Sequence, residues 1–411
     1  METKNTSKSS WIAAFSVASV WFGTHVGGGF ATGNQVIQYF SQYGPTAALF
    51  PILAMGILAF VIYTVMSFAK LNGYDNYKDT FSALYPHPKM EILFEIFYIV
   101  IILAAVASAV AGAGEVMANF IGIEYVGVAK LLCNAVIVAI LVLLSVFGIK
   151  LVMAASTVLS VAILAITACV IVSGLTADMD GVVANYLVAN NLEPVAYTNN
   201  LGGSIWSGVI VYAAFQCVSI APMIAASSEM SLKGIKRSAI LGWIMNGGAL
   251  AASGYMLSKW YPVLKALQNA GVAGFTNALG IPNQTILNIV GVKAILVLFS
   301  LLLFCAFVST CVTLVYTMVQ RFQGVCFPKT IKSEKARSAI VGFIVIALCF
   351  ALSMLGLSNI IKYAYGYDGY FAIFAVVIPV LIWGTPKVIK LKSAKKDSEP
   401  VAAVGNAALE S

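Results

Sequence analysis

A glycine-rich stretch, GTHVGGGFATG at Gly23–Gly33, lies inside an apolar run at Trp11–Phe40 that is long enough to cross a bilayer. Glycine costs a helix about 1 kcal/mol relative to alanine, so Gly27, Gly28 and Gly29 are predicted to interrupt the helix at mid-membrane. Backbone groups freed there need partners, and interrupted backbone is tolerated where it lines a cavity that binds ions or charged substrates. The sequence therefore predicts a binding site at this interruption.

The composition indicates an all-α integral membrane protein. Of the 411 residues, 60% are hydrophobic and 10% are charged, and the mean hydropathy is +0.93. Soluble domains carry about 25% charged residues, so most of this chain must contact membrane lipid or other membrane helices. The net charge of +8 comes from short loops and the C-terminal region, which is a topology signal and gives no reason to expect a nucleic-acid partner. The seven cysteines show no disulfide or metal-binding spacing.

Apolar runs of about 20 residues predict ten transmembrane helices. The predicted spans are 11–41, 45–69, 92–120, 126–147, 151–173, 203–230, 235–258, 284–320, 338–355 and 368–385. With both termini in the cytoplasm, all but five of the 24 lysine and arginine residues fall on the inner side. Such a bias is typical of a multi-pass protein of the cell membrane.

The sixth span is predicted to be broken like the first, because Gln216, Ser219 and Pro222 lie near its centre. Broken helices at matching positions of two halves of five spans predict a 5+5 inverted repeat with the site between the halves. The predicted organisation begins with a cytoplasmic N-terminal segment (1–10) and a first repeat of five helices (11–175). An extracellular loop (176–202), a second repeat of five helices (203–385) and a basic, disordered cytoplasmic tail (386–411) follow.

Four sequence stretches resemble the YkvI family of bacterial membrane proteins. They are GTHVGGGFATGNQVIQYFSQYG (Gly23–Gly44), AVAGAG (Ala109–Gly114), FGIK (Phe147–Lys150) and YAYGYDGY (Tyr363–Tyr370). That family is placed in the amino acid–polyamine–organocation (APC) superfamily, so the resemblance implies the LeuT fold, with helices 1 and 6 broken.

A sodium site is predicted on the eighth span. Ala306, Ser309 and Thr310 share one helical face and offer a carbonyl and two hydroxyls, which are hard oxygen ligands. The LeuT-type resemblance implies two further carbonyl ligands at the first break, from Gly23 and Val26. The alternative is that the two hydroxyls only pack helices together.

Two ionisable residues lie within predicted spans. His25 sits in the first break, where it either carries a coupling proton, binds substrate, or is a neutral residue that packs against a neighbour. Glu115 is the one acid well inside a predicted span, and it either pairs with Lys293 or a substrate amine, carries a proton, or is solvated near the outer headgroups.

The substrate is predicted to contact both breaks. The residues assigned to it are Thr24, His25, Gly27, Gly28, Gly29, Tyr212, Phe215, Gln216 and Ser219. Aromatic walls with few polar groups suit a small molecule, and half-helix N-termini favour a carboxylate, as in an amino acid or related zwitterion.

The predicted function is that of a secondary active transporter, with sodium as the predicted coupling ion and alternating access as the mechanism. No nucleotide-binding or hydrolase motif is present, which argues against an enzyme, an organic cofactor and ATP-driven transport. Two alternatives stay open. One is a proton-coupled transporter or exchanger that uses His25 or Glu115. The other is a membrane sensor that binds the same ligand without transporting it. The sequence indicates no oligomeric state.

Overall fold

The computed structural model describes residues 5–25, 27–147, 149–324, 327, 331 and 333–398, with side chains at 11–25, 27–144, 161–324, 327, 331 and 333–394. Every regular element in these residues is helical, in agreement with the predicted all-α class.

Nineteen α-helices follow one another along the described chain. They are α1 (Asn5–His25), α2 (Gly28–Thr32), α3 (Asn34–Tyr39), α4 (Phe50–Asn72), α5 (Tyr77–Leu84), α6 (Glu91–Ile121), α7 (Gly127–Phe147), α8 (Ile149–Thr176), α9 (Met179–Val182), α10 (Leu201–Ile205), α11 (Tyr212–Phe215), α12 (Ile220–Ser227), α13 (Leu232–Asn269), α14 (Pro282–Val290), α15 (Lys293–Phe322), α16 (Glu334–Ser353), α17 (Leu357–Asn359), α18 (Tyr365–Ala372) and α19 (Thr385–Ser398). Segments of 3₁₀-helix lie at Ser41–Tyr43, Pro45–Leu49, Pro88–Met90, Val188–Asn190 and Gln216–Ser219, and segments of π-helix at Val183–Leu187, Trp206–Val211, Ile360–Ala364, Ile373–Val377 and Val380–Gly384.

Eight of the ten predicted spans correspond to helices that are long and apolar enough to cross a membrane. Within the described residues there are seven such helices, and an eighth if the bent pair Val161–Thr176 and Met179–Asn190 forms one span. The remaining two predicted spans, 11–41 and 235–258, are helical but are not among them. The structure therefore confirms a multi-helix apolar architecture, while the number ten stays a prediction.

The first predicted interruption is present in the backbone. Helix α1 ends at His25 and α2 begins at Gly28, where Gly27 is extended, with φ −82° and ψ −176°. Helix α2 ends at Gly33, whose φ is +84°. This left-handed region favours glycine, because residues that carry a Cβ rarely adopt it. A Cβ on Gly33 would also lie 3.0 Å from side-chain atoms of Asn283, Leu257 and Pro282.

The sixth predicted span differs in form from the first. It runs from Leu201 to Ser227 without a non-helical residue, and the expected break is a 3₁₀ turn at Gln216–Ser219. Pro222 lies in the first turn of α12, where its missing N–H is tolerated. The helix thus changes its pitch at this point instead of unwinding.

Two groups of helices pack around the interruption. Helix α13 packs against α1 and α4, whereas α15 packs against α6 and α8. The short helix α2 contacts both α6 and α15. The predicted eighth span at 284–320 is two helices, α14 and α15, because Gly291 has a φ of +80° and ends α14.

The ends of the chain differ from the predicted boundaries. Helix α1 begins at Asn5, inside the predicted N-terminal segment. The predicted disorder of 386–411 is corrected up to Ser398, because α19 continues the last span. Lys387 Nζ donates to the Ala83 and Leu84 carbonyls at 2.8 Å, and Lys392 Nζ donates to Tyr63 Oη at 2.6 Å, which anchors this helix to the body of the protein.

Candidate functional site

A cavity of about 270 Å³ opens at the α1–α2 interruption, and we call it the central cavity. Most of the residues that the sequence assigned to substrate and sodium line it together. They are Gly23, Thr24, His25, Gly27, Gly28, Gly29, Phe215, Gln216, Ala306, Ser309 and Thr310. The fold thus brings α1, α2, the 3₁₀ turn of the sixth span and α15 to one place.

Three assigned residues lie elsewhere, and a fourth is outside the described residues. Tyr212 and Ser219 are fully buried behind the cavity wall, and Ser219 Oγ lies 3.2 Å from Thr24 Oγ1. Glu115 lines a different cavity. Val26 lies outside the described residues, so its carbonyl contact to sodium stays a prediction.

His25 is 3% exposed, and both of its ring nitrogens have neutral partners. Nδ1 lies 2.6 Å from Asn246 Oδ1, and Nε2 lies 2.8 Å from Tyr212 Oη. Because Asn246 Nδ2 donates to the Gly242 carbonyl, its Oδ1 is an acceptor and His25 Nδ1–H is the donor. Nε2 then accepts the hydroxyl hydrogen of Tyr212. These contacts are compatible with the neutral, packed histidine among the predicted alternatives, and the roles of His25 in proton coupling and substrate binding stay predictions.

Gly27 and Gly28, which are adjacent at the interruption, have different surroundings. A Cβ on Gly28 would lie 1.7 Å from Phe307 Cε1, and one on Gly112 of α6 would lie 2.2 Å from Phe307 Cζ. The Phe307 ring is therefore held between α2 and α6, and neither glycine has room for a side chain. Gly27, by contrast, has no atom within 4 Å of a built Cβ, so its backbone borders open space.

Phe215 and Tyr365 form an aromatic wall of the central cavity, and further aromatic rings pack behind them. The Phe215 ring centroid lies 4.9 Å from Tyr212, 5.1 Å from Tyr39 and 5.4 Å from Tyr365. Tyr365 Oη lies 3.2 Å from Ser108 Oγ on α6. Such a rigid wall supplies apolar contact area, and its few polar atoms can orient a ligand.

Several lining residues escaped the sequence analysis. Gln35, Tyr98, Ser108 and Tyr365 line the central cavity, and Asn246 supports His25 from α13. A buried asparagine in an apolar helix was an available signal for Asn246. The other four are ordinary membrane-helix residues, and only packing brings them to the site.

The predicted sodium ligands Gly23, Ala306, Ser309 and Thr310 all border the central cavity. Gly23 lies in the last turn of α1, where carbonyl groups lack helical partners. The described residues hold no cluster of three histidine, cysteine, aspartate or glutamate side chains that would suit a transition metal. The donor set is thus one of neutral oxygens.

Glu115 is buried and belongs to a second cavity, which argues against one of the predicted alternatives, a carboxylate solvated near the outer headgroups. It is 2% exposed, and Asn277 Nδ2 donates to its Oε1 at 2.5 Å. The basic residue that lines the same cavity is Lys130, and Lys293 does not line it. Asp368 of α18 is also buried, at 3% exposed, so Glu115 is not alone as an intramembrane acid.

Solved structures of two transporters share this architecture. MhsT in complex with L-phenylalanine matches with a TM-score of 0.53 and 15% identity, over 91% of this chain and 94% of that chain. A manganese transporter from Eremococcus coleocola, in complex with an aromatic bis-isothiourea substituted compound, matches with a TM-score of 0.51 and 16% identity, over 93% and 80% of the two chains. Both have the LeuT fold. This chain shares it.

No family model matches the sequence, and neither does any curated protein. The likeness to the two structures confirms an all-helical LeuT fold, while the ten spans and the 5+5 inverted repeat stay predictions. Membership of the YkvI family and of the APC superfamily stays a prediction.

Proposed function

We propose that this protein is a secondary active transporter of a small zwitterion, most simply an amino acid, and that sodium drives its uptake. The observation that carries the proposal is the composition of the central cavity. Backbone at the α1–α2 interruption, an aromatic wall and the Ser309–Thr310 hydroxyl pair border one space of about 270 Å³. A cavity slightly below the usual 300–1,000 Å³ range of ligand pockets suits a small substrate.

The lining chemistry favours a ligand without net charge. Among the described residues, no aspartate, glutamate, lysine or arginine lines the central cavity. Backbone carbonyls and N–H groups at the interruption can pair with the ammonium and carboxylate of an amino acid, while Phe215 and Tyr365 pack against its side chain. The L-phenylalanine bound to MhsT supports this substrate class.

Sodium would bind next to the substrate, between α1 and α15. The Ser309 and Thr310 hydroxyls and the carbonyls of Gly23 and Ala306 are the residues that would hold it, and Val26 is the proposed fifth ligand. Coupling requires that sodium and substrate favour the same conformational state, since a ligand with equal affinity for both states shifts nothing. Rocking of one helix group against the other would then expose the cavity to each side in turn.

The Thr310→Ala variant tests the sodium site. Loss of one oxygen ligand to a cation removes an interaction of about 1.5–3 kcal/mol, so the sodium concentration for half-maximal amino acid uptake into proteoliposomes should rise about tenfold or more. Thr317→Ala is the matched control, because Thr317 lies on the same helix but does not line the central cavity, and its hydroxyl donates to the Thr313 carbonyl. That control should keep the sodium dependence of the native chain.

Three outcomes would contradict the proposal. Equal sodium dependence of uptake in Thr310→Ala and in the native chain would refute the assigned sodium site. Uptake that persists without sodium and follows a pH gradient would instead favour the proton-coupled alternative. Amino acid binding without any flux would select the sensor.

A further inference from the structure

A second cavity of about 590 Å³ is built from polar side chains, and we call it the charged cavity. Its walls come from the end of α6, the start of α7, the loop before α14 and the segment before the last span. Glu115 and Lys130 both line it, and so do Tyr125, Asn277 and Gln284. None of these five residues lines the central cavity.

Glu115 forms one end of the charged cavity. One carboxylate oxygen, Oε1, accepts from Asn277, while Oε2 has no hydrogen-bond donor among the described residues. Gly280 closes on this contact so tightly that a Cβ there would lie 2.6 Å from Glu115 Oε1. Gln284, 7% exposed, adds a second buried oxygen without a donor, Oε1. Since buried acceptors cost free energy unless they are paired, this end fits a ligand that brings several N–H donors.

Lys130 also lines the charged cavity. Its side chain is half-buried, and its ammonium lies 5.6 Å from the centroid of the Tyr125 ring. The Lys130 ammonium and the Glu115 carboxylate, both among the described residues, form no ion pair with each other. The charged cavity thus presents a carboxylate and an ammonium that face the same space without contacting each other.

We propose that the charged cavity binds a second zwitterion, with its ammonium at Glu115 and Gln284 and its carboxylate at Lys130. A zwitterion supplies three N–H donors to the acceptor end and two anionic oxygens to Lys130, so it pairs both ends at once. A simple amine would leave Lys130 without its anion, and a simple acid would leave Glu115 Oε2 without its donor. This proposal shares the ligand class of the proposed function but uses different residues.

Equilibrium binding to the purified full chain in potassium chloride tests the assignment. Without sodium, the central site of the proposed function is weakened, so the measurement reports the charged cavity. The probes are L-phenylalanine, phenethylamine and 3-phenylpropionate, which keep the same ring and carry both charged groups, only the amine, or only the acid. L-phenylalanine should bind at least tenfold more tightly than either of the other two.

Matched variants separate this cavity from the central one. Glu115→Gln and Lys130→Gln should each raise the Kd for L-phenylalanine at least tenfold. Glu193→Gln and Lys293→Gln make the same changes at exposed positions and should leave the Kd unchanged. Phe215→Ala alters the central cavity and should also leave it unchanged. The melting temperature of each variant without ligand shows that it is folded.

The proposal is overturned if Glu115→Gln binds L-phenylalanine like the native chain, or if Phe215→Ala alone abolishes binding. It is also overturned if phenethylamine binds as tightly as L-phenylalanine, because Lys130 would then have no role. Sodium-driven uptake that survives in a chain without this second site would leave the proposed function standing. The two proposals therefore fail separately.

Discussion

The two ends of α6 each bury a glutamate, and the two carboxylates have different partners. Glu95 accepts from Arg321 Nε at 2.5 Å and from Tyr77 Oη at 2.9 Å. Glu115 accepts from the Asn277 amide and borders the charged cavity, where Lys130 also lies without an ion pair to it. One helix thus carries a carboxylate satisfied within the fold and another that faces space for a ligand.

The difference separates a structural ion pair from a candidate binding group. A buried charge is costly unless it is paired, so Arg321 makes Glu95 part of the fold and stabilises the contact of α6 with α15. Nothing in the described chain does the same for Glu115. Burial alone therefore does not identify a functional acid, whereas burial next to a cavity and without a cation partner does.

Removal of the cation at the Glu95 end should have the largest effect on stability. Loss of one partner from a buried ion pair costs about 3–5 kcal/mol, and since the Arg321 side chain is 32% exposed we expect Arg321→Met to cost about 2 kcal/mol. The midpoint temperature of unfolding in detergent measures it. Lys335→Met, at an exposed position of α16, is the control and should leave the midpoint unchanged. Equal midpoints for both variants would show that Glu95 is solvated after all.

In the middle of α6, the stability of the protein should depend on side-chain volume and not on charge. A Cβ at Gly112 meets the Phe307 ring at 2.2 Å, so Gly112→Ala should destabilise the protein by about 1–3 kcal/mol through overpacking. Gly248→Ala adds the same methyl group to an open position of α13 and should be neutral or stabilising, because alanine is the better helix former. A shift of the same sign in both variants would rule out the Phe307 contact as the cause.

The smallest change in stability should come from a substitution of Glu115. Glu115→Gln removes a charge that has no cation partner, so we expect a change below about 1 kcal/mol or a slight gain, whereas Glu95→Gln should lose about 1–2 kcal/mol with the charged hydrogen bond to Arg321. Thermal unfolding of the two variants without ligand measures the contrast. If Glu115→Gln is as destabilising as Glu95→Gln, the comparison between the two ends of α6 fails.

The sequence predicted much of the architecture because membrane constraints are local. Apolar runs marked seven helices that are long and apolar enough to span a bilayer, or eight with the bent pair, and Gly27–Gly29 marked the interruption between α1 and α2. The serine and threonine spacing on α15 also indicated residues that border the central cavity. These signals lie within single segments, where hydrophobicity and helix propensity decide the outcome.

Contacts between distant segments were decided only by the tertiary structure. Asn246 and Tyr212 fix the ring of His25, and Phe307 explains the glycines at Gly28 and Gly112. The sequence offered Lys293 as one alternative partner of Glu115, but the fold places Lys130 at the same cavity. Helical periodicity shows which residues share a face, whereas helix packing decides which faces meet, so charge partners and cavity walls are properties of the folded chain.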